Sequence, residues 1–354
     1  MTHLNNWWLS IDRINFILIL SLGFTGLILS FSIDENFSIN KHLIFFLISI
    51  ILLFVLANLD NKIIRRISLF SFIFLLILMI TIIFLDYEVK GAKRWIQIFN
   101  FTLQPSEIIK PIFAILTAWC ISRSIEDKKL YLPVLFVFFI ILLFLIFLQP
   151  DLGMTILVSA TFFCQLFVAG LSIYLVIVSL AFILSISVIS YFIFDHVQNR
   201  INSFFGGLGV SDTHQIDLSI KAFKSGGLFG KGPGQGILKE KIPDANTDFI
   251  FAVAGEELGF IFCLVIILII LSIIVRTLLN VLNLENPYKI IAISGLTCSF
   301  GLQSLINIFS SLGLIPTKGM TLPFVSYGGS SMISIALLFG FLLSLTNKNN
   351  EVNE

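Results

Sequence analysis

Ten apolar runs divide this chain, each near the roughly 20 residues that cross a bilayer as a helix. They fall at about 14–33, 42–59, 67–86, 104–123, 130–148, 152–170, 173–194, 249–275, 288–312 and 328–346. Hydrocarbon offers the backbone no hydrogen-bond partners, so runs of this kind must satisfy their own N–H and C=O groups as helices. Composition points the same way: 57% of the 354 residues are hydrophobic and 12% are charged, outside the range of soluble domains. The prediction is an all-α polytopic membrane protein, one integral membrane domain over 1–354 with ten transmembrane helices and both termini on one side. Between the fifth and sixth runs, Gln149-Pro150-Asp151-Leu152-Gly153 predicts a tight turn, because Pro and Gly beside a charge break a helix. Met1 to Arg13 lead into a run of spanning length with no small-residue cleavage site, so the first helix is expected to act as its own insertion signal.

Charge sets the expected orientation. Lys62, Arg65 and Arg66, then Arg123, Lys128 and Lys129, then Arg276 and Lys289 lie in short connections on one side, which marks that side as cytoplasmic and takes the termini with it. The longest polar stretch, about 195–248 between the seventh and eighth helices, becomes a large extracytoplasmic loop. That opposite side still carries Lys90, Lys93, Arg94, Arg200, Lys221, Lys224, Lys231, Lys239, Lys241 and Lys318. The raw count across the membrane is thus nearly balanced, and so many cations on the disfavoured side suit an anionic ligand, although Asp212, Asp217, Glu240 and Asp244 among them also suit a plainly solvated loop.

Metal and redox chemistry find little support. Cys120, Cys164, Cys263 and Cys298 fall inside predicted spans without CxxC spacing, and read as small core residues. His3, His42, His196 and His214 are scattered, and none has a second ligand at metal spacing. Nothing resembles a nucleic-acid module.

Four polar segments interrupt the apolar sequence. Lys93-Arg94-Trp95-Ile96-Gln97 precedes Gln104-Pro105-Ser106-Glu107-Ile108-Ile109-Lys110-Pro111, where Glu107 and Lys110 share one helical face and can neutralise each other. Gln303 and Asn307 lie one turn apart in the ninth run, the spacing of an interhelical hydrogen bond. Gly226 to Gly236 is glycine-rich and could cradle phosphate through backbone N–H groups, but lacks the strand and Lys-Ser/Thr ending of a nucleotide P-loop. Pro316 to Ser331 holds three glycines and two prolines, backbone tolerated at membrane depth only inside protein or lining a cavity. Asp248 stands where the chain re-enters apolar sequence, and a carboxylate there is costly without a function or a partner.

The order of KRWIQ…QPSEIIKP, QPDLG, NRINSF, GLFGKGPGQG, PDANTDFIFAVAGEELG and PTKGMTLPFVSYGGSS resembles the FtsW/RodA (SEDS) family over about residues 90–345. The PTKGMTLPF wording resembles its cell-division branch rather than its elongation branch. The resemblance implies a ten-helix bundle in the bacterial inner membrane, placed at the division septum. It also implies peptidoglycan glycosyltransfer outside that membrane, with a class B penicillin-binding transpeptidase and other divisome proteins as partners. The family's HTDF motif places its proposed catalytic Asp on Asp248, with Asn246 in place of the usual His. After Phe204 the family's Trp-Asn-Pro is replaced by Phe205-Gly206-Gly207, whereas Gln215 matches.

The implied substrate, lipid II, is a disaccharide-pentapeptide on undecaprenyl pyrophosphate. Polymerising it requires a base for a sugar 4-hydroxyl, a role that fits Asp248, and cations for the departing pyrophosphate. Arg94, Lys231, Lys239 and Lys318 are the candidates, with room for a divalent ion, Mg or Mn. Further substrate contacts are expected from Glu107, Lys110, Gln215, Gln303 and Ser330. A lipid II flippase would share the anionic site but needs an alternating pathway, usually marked by repeats with broken helices, and none is visible. A non-catalytic divisome scaffold would need no boundary carboxylate.

Overall fold

The computed structural model describes residues 8–33, 38–84, 93–98, 101–126, 130–170, 173–193, 197–198, 202, 212–317 and 319–347. Their architecture is almost wholly helical: α1 Arg13–Ile33, α2 Ser38–Ala57, α3 Asn61–Phe84, α4 Pro105–Ile125, α5 Tyr131–Leu148, α6 Leu152–Val168, α7 Ile173–Ile193, α8 Asp212–Gly226, α9 Ile250–Glu257, α10 Gly259–Val281, α11 Pro287–Ser311 and α12 Gly329–Leu345. Before α4, strands β1 Ile96–Ile98 and β2 Phe101–Leu103 form a small antiparallel hairpin with Gln97 opposite Thr102.

Local sequence explains the helix starts. Pro105 and Pro287 occupy first turns, where no N–H is missed and φ is already helical. The Asp151 carboxylate accepts from Met154 N at 3.1 Å, and the Asn286 side chain from Tyr288 N at 3.0 Å, each capping an otherwise orphan donor. The turn expected at Pro150 therefore forms, with Asp151 as the cap that starts α6.

Among the described residues, seven helices are long and apolar enough to cross a membrane; α6 and α12, at 17 residues each, are shorter apolar helices. Burial separates two classes. The spans of α4 and α11 are 72% buried, whereas the other five range from 28% to 39%, so α4 and α11 form the hub and the others turn a large apolar face outward. α11 packs on α4 and α6, and α12 on α2 and α4. Phe72, Phe113, Phe139 and Phe162 stack through the centre.

Three expectations change. The run 249–275 is not one helix: α9 stops at Glu257 and α10 restarts at Gly259, whose φ of +81° and contact with the Gly230 backbone leave no space for a Cβ. There Phe260 N and Ile261 N bond Gly227 O and Leu228 O at 3.0 and 3.2 Å, so the α10 start is capped by the glycine segment instead of continuing α9. Likewise, the described part of 195–248 is no open loop. It contains α8, and its Leu218, Ala222, Ile242 and Ala245 join Phe249 in a small apolar cluster. Finally, Lys62, Arg65 and Arg66 lie in the first turns of α3, and Lys289 is 2% exposed within α11, while Lys128 and Lys129 lie outside the described residues. The guanidinium carbon of Arg65 sits 5.1 Å from the Tyr288 ring centroid, and Arg276 pairs with Asp12 at 2.7 Å, at the helix ends opposite Asp248.

Candidate active site

Asp248 is half-buried, two residues before α9. Its N–H donates to Asp244 O at 3.0 Å. Its carbonyl accepts from Asn307 Nδ2 at 2.9 Å and Ser311 Oγ at 3.5 Å. Asn307 also donates to Met320 O at 2.6 Å, and Gln303 Nε2 donates to Thr321 O at 3.1 Å. Gln303, Asn307 and Ser311 recur every fourth residue, so one face of α11 holds two irregular segments, 247–249 and 319–322. Tyr327 N donates to Asn246 O at 2.9 Å and Ser326 Oγ to Thr247 O, which fastens the NTDF segment to the stretch before α12. A Cβ at Gly319 would lie 3.6 Å from Asp248 Oδ2, so the carboxylate faces the segment after α11. Asn246, at the family's His position, leaves its buried Oδ1 without a hydrogen-bond partner.

Below Asp248 runs a buried polar layer. Lys110 Nζ lies 2.6 Å from Glu107 Oε2 and 2.8 Å from Gln303 Oε1, the pairing their spacing implies. Ser334 Oγ donates to Glu107 O at 2.6 Å. Ser330 Oγ accepts from Gln104 N at 2.8 Å, and Gln104 Nε2 donates to Ser106 Oγ at 3.0 Å. Removing one partner of a buried pair strands the other charge, at about 3 to 5 kcal/mol. Glu107→Gln and Lys110→Met alone should therefore each reduce folded yield more than the two together. Additive losses in a four-way comparison would assign the two residues separate roles.

The cations expected at the substrate pyrophosphate are mostly committed elsewhere. Arg94 donates to the carbonyls of Gln149, at 2.7 Å, and Pro150, and lies 3.4 Å from Asp151 Oδ2; it clamps the α5–α6 turn. Lys231 pairs with Glu256 at 2.9 Å and Lys239 with Glu257 at 2.8 Å. Lys239, 6% exposed, also donates to Ser32 O of α1 and to Gly234 O. It is thus a buried cation with partners from its own chain. Lys318 lies outside the described residues. Gln215 is half-buried on α8, which packs on α9 and α11.

The glycine segment cradles carboxylates of its own chain. Gly234 N and Gly236 N donate to Glu257, at 3.2 and 3.3 Å. Ile237 N, Leu238 N and Lys239 N donate to Glu256, at 3.0 to 3.2 Å. Burial alone would raise the Glu256 pKa; Lys231 and the Leu238 and Ile237 amides outweigh it and hold the carboxyl below its ordinary value. The paired acids of GEELG were the one sequence signal for this knot. Among the described residues no three His, Cys, Asp or Glu side chains gather where they could hold a metal ion.

A bundle of apolar helices around a buried Glu–Lys pair, with a half-buried carboxylate held at one end by polar side chains of a central helix, defines a polytopic membrane protein with its candidate chemistry at that end. Residues 2–351 match the family described as cell cycle protein, FtsW/RodA/SpoVE, and the chain belongs to that family. It is 37% identical over 363 residues to a protein of Caulobacter vibrioides named probable peptidoglycan glycosyltransferase FtsW, covering 98% of this chain and 92% of that one. A Coxiella burnetii protein of the same name is 32% identical over 318 residues, covering 86% and 85%. Among solved structures, a chain from work on polymerization and crosslinking by a peptidoglycan synthase complex superposes with a TM-score of 0.82 at 21% identity, covering 96% of this chain and 98% of that one. Thermus thermophilus rod shape determining protein RodA gives 0.71 at 23% identity, covering 96% and 97%. At these identities the structural likeness establishes the fold.

Proposed function

We propose that this chain is a peptidoglycan glycosyltransferase that polymerises lipid II during septal wall synthesis, with lipid pyrophosphate as leaving group. The observation that carries the reading is Asp248: a half-buried carboxylate whose backbone is fixed by Asn307 while its Oδ2 faces the segment after α11. As general base it removes the proton of the acceptor sugar 4-hydroxyl while that oxygen attacks the anomeric carbon of the donor and the pyrophosphate departs. One displacement inverts that carbon. With Arg94, Lys231 and Lys239 engaged in the fold, Lys318, next in sequence to Gly319, is the cation assigned to the leaving group. The unpaired Asn246 Oδ1 accepts from a sugar hydroxyl, a hydrogen-bonding role that Asn shares with the family's His.

In the same reading the chain crosses the bacterial inner membrane ten times with cytoplasmic termini. Asp248 then faces outward, where a class B penicillin-binding transpeptidase and other divisome proteins join it. Cysteines at Lys241 and Glu126, both exposed, test this with an impermeant maleimide on spheroplasts. Position 241 should label and 126 should not; the reverse pattern inverts the topology. For the activity, the protein purified with its transpeptidase should build glycan strands from fluorescent lipid II in detergent. Detergent abolishes the two compartments a flippase needs, so strands formed there can only come from polymerisation, and their absence would refute it.

A further inference from the structure

The tip of the glycine segment has a use that neither the carboxylate knot nor the proposed chemistry absorbs. Leu228 and Phe229 are 61% and 80% exposed, at the turn between α8 and the knot. Their exposure is imposed by a fixed backbone. Gly230 N bonds Gly226 O at 2.8 Å, and a Cβ at Gly230 would overlap the Glu257 carbonyl. The two bonds from Phe260 N and Ile261 N to Gly227 O and Leu228 O seat the tip on the first turn of α10. Phe260, Ile261, Leu264 and Leu268 of that turn and those below are themselves exposed, forming the outward apolar face of a helix only 28% buried. Leu228 and Phe229 therefore prolong a hydrocarbon-facing stripe past the end of its helix.

From this continuity we infer that the Leu228–Phe229 tip is an interfacial anchor, inserted at the boundary between headgroups and acyl chains of the bilayer. An aromatic and an aliphatic side chain at the end of a span suit that layer. The tip is tied to the site by short, rigid links. Lys231 N and Gly232 N bond Glu256 O and Glu257 O, at 3.0 and 2.9 Å, at the end of α9, the eight-residue helix that Asp248 precedes. Seating the tip thus fixes the height of Asp248 over the hydrocarbon. On the reading proposed above, that matters because the substrate's reacting carbon is itself held near one height by its lipid.

The test is independent of activity. Phe229→Trp and, separately, Leu228→Trp are reconstituted in vesicles of phosphatidylcholine brominated near the headgroup end of the acyl chains, and emission is compared with the parent, whose native tryptophans set the background. The added emission should be blue-shifted and lose at least half its intensity to the brominated lipid. Lys241→Trp, exposed on the polar side of the knot, should be red-shifted and unquenched. Added emission at 228 and 229 as red and as unquenched as at 241 overturns the anchor. So does a blue shift that appears only when the transpeptidase is present, which would assign the tip to a protein partner. A parent protein that makes no strands, with quenching of the variants intact, would count against the catalytic reading and leave the anchor standing.

Discussion

Asp248→Asn is expected to abolish glycan polymerisation by at least about 10²-fold, the lower range for loss of a general base, while the protein remains folded, inserted and bound to its transpeptidase. The substitution keeps side-chain size and removes basicity. The backbone contacts that residue 248 makes with Asn307, Ser311 and Asp244 survive the change. Glu240→Gln and Asp244→Asn serve as controls: both residues are exposed, and Asn tolerates the positive φ of +57° at position 244. Near-parental strand synthesis by Asp248→Asn would remove Asp248 from the chemistry. A dead control beside it would name the replacement.

Glu256→Ala should cost the fold roughly 1 to 3 kcal/mol, the cost of leaving buried donors unsatisfied. The loss strips acceptors from three consecutive amides, those of Ile237, Leu238 and Lys239, and leaves Lys231 without its partner. Trypsin should then cut at Lys231 and Lys239, the latter buried in the parent, many times faster than in the intact protein. Unchanged protease resistance would mean that the knot does not hold the segment. Acid should imitate the mutation. A carboxyl whose folded-state pKa lies below its ordinary 4.5 stabilises fully above that value and loses its contribution as pH falls through the folded-state pKa. The parent's segment should thus become protease-sensitive below about pH 4.5 by the same linkage, and Glu256→Gln should show no such acid step.

Sequence spacing was enough for the Glu107–Lys110 pair, because i and i+3 on one helix are neighbours whatever the helix packs against. It was also enough for the apolar helices, since hydrocarbon leaves the backbone no alternative, and for the turn capped by Asp151. It failed where partners come from distant segments. The family resemblance sets Arg94, Lys231 and Lys239 beside an anionic substrate. Only the packing puts Arg94 over the Pro150 turn and the two lysines against Glu256 and Glu257, 25 and 18 residues away. The break at Gly259 was equally hidden, because apolar sequence continues through it and the cause is backbone contact with Gly230. Residue order alone was sufficient for the membrane solvent, for most of the apolar helices and for the family. The tertiary structure decided which charges remain for chemistry, because a buried charge must find a partner, and the identity of that partner is a property of space rather than of chain order.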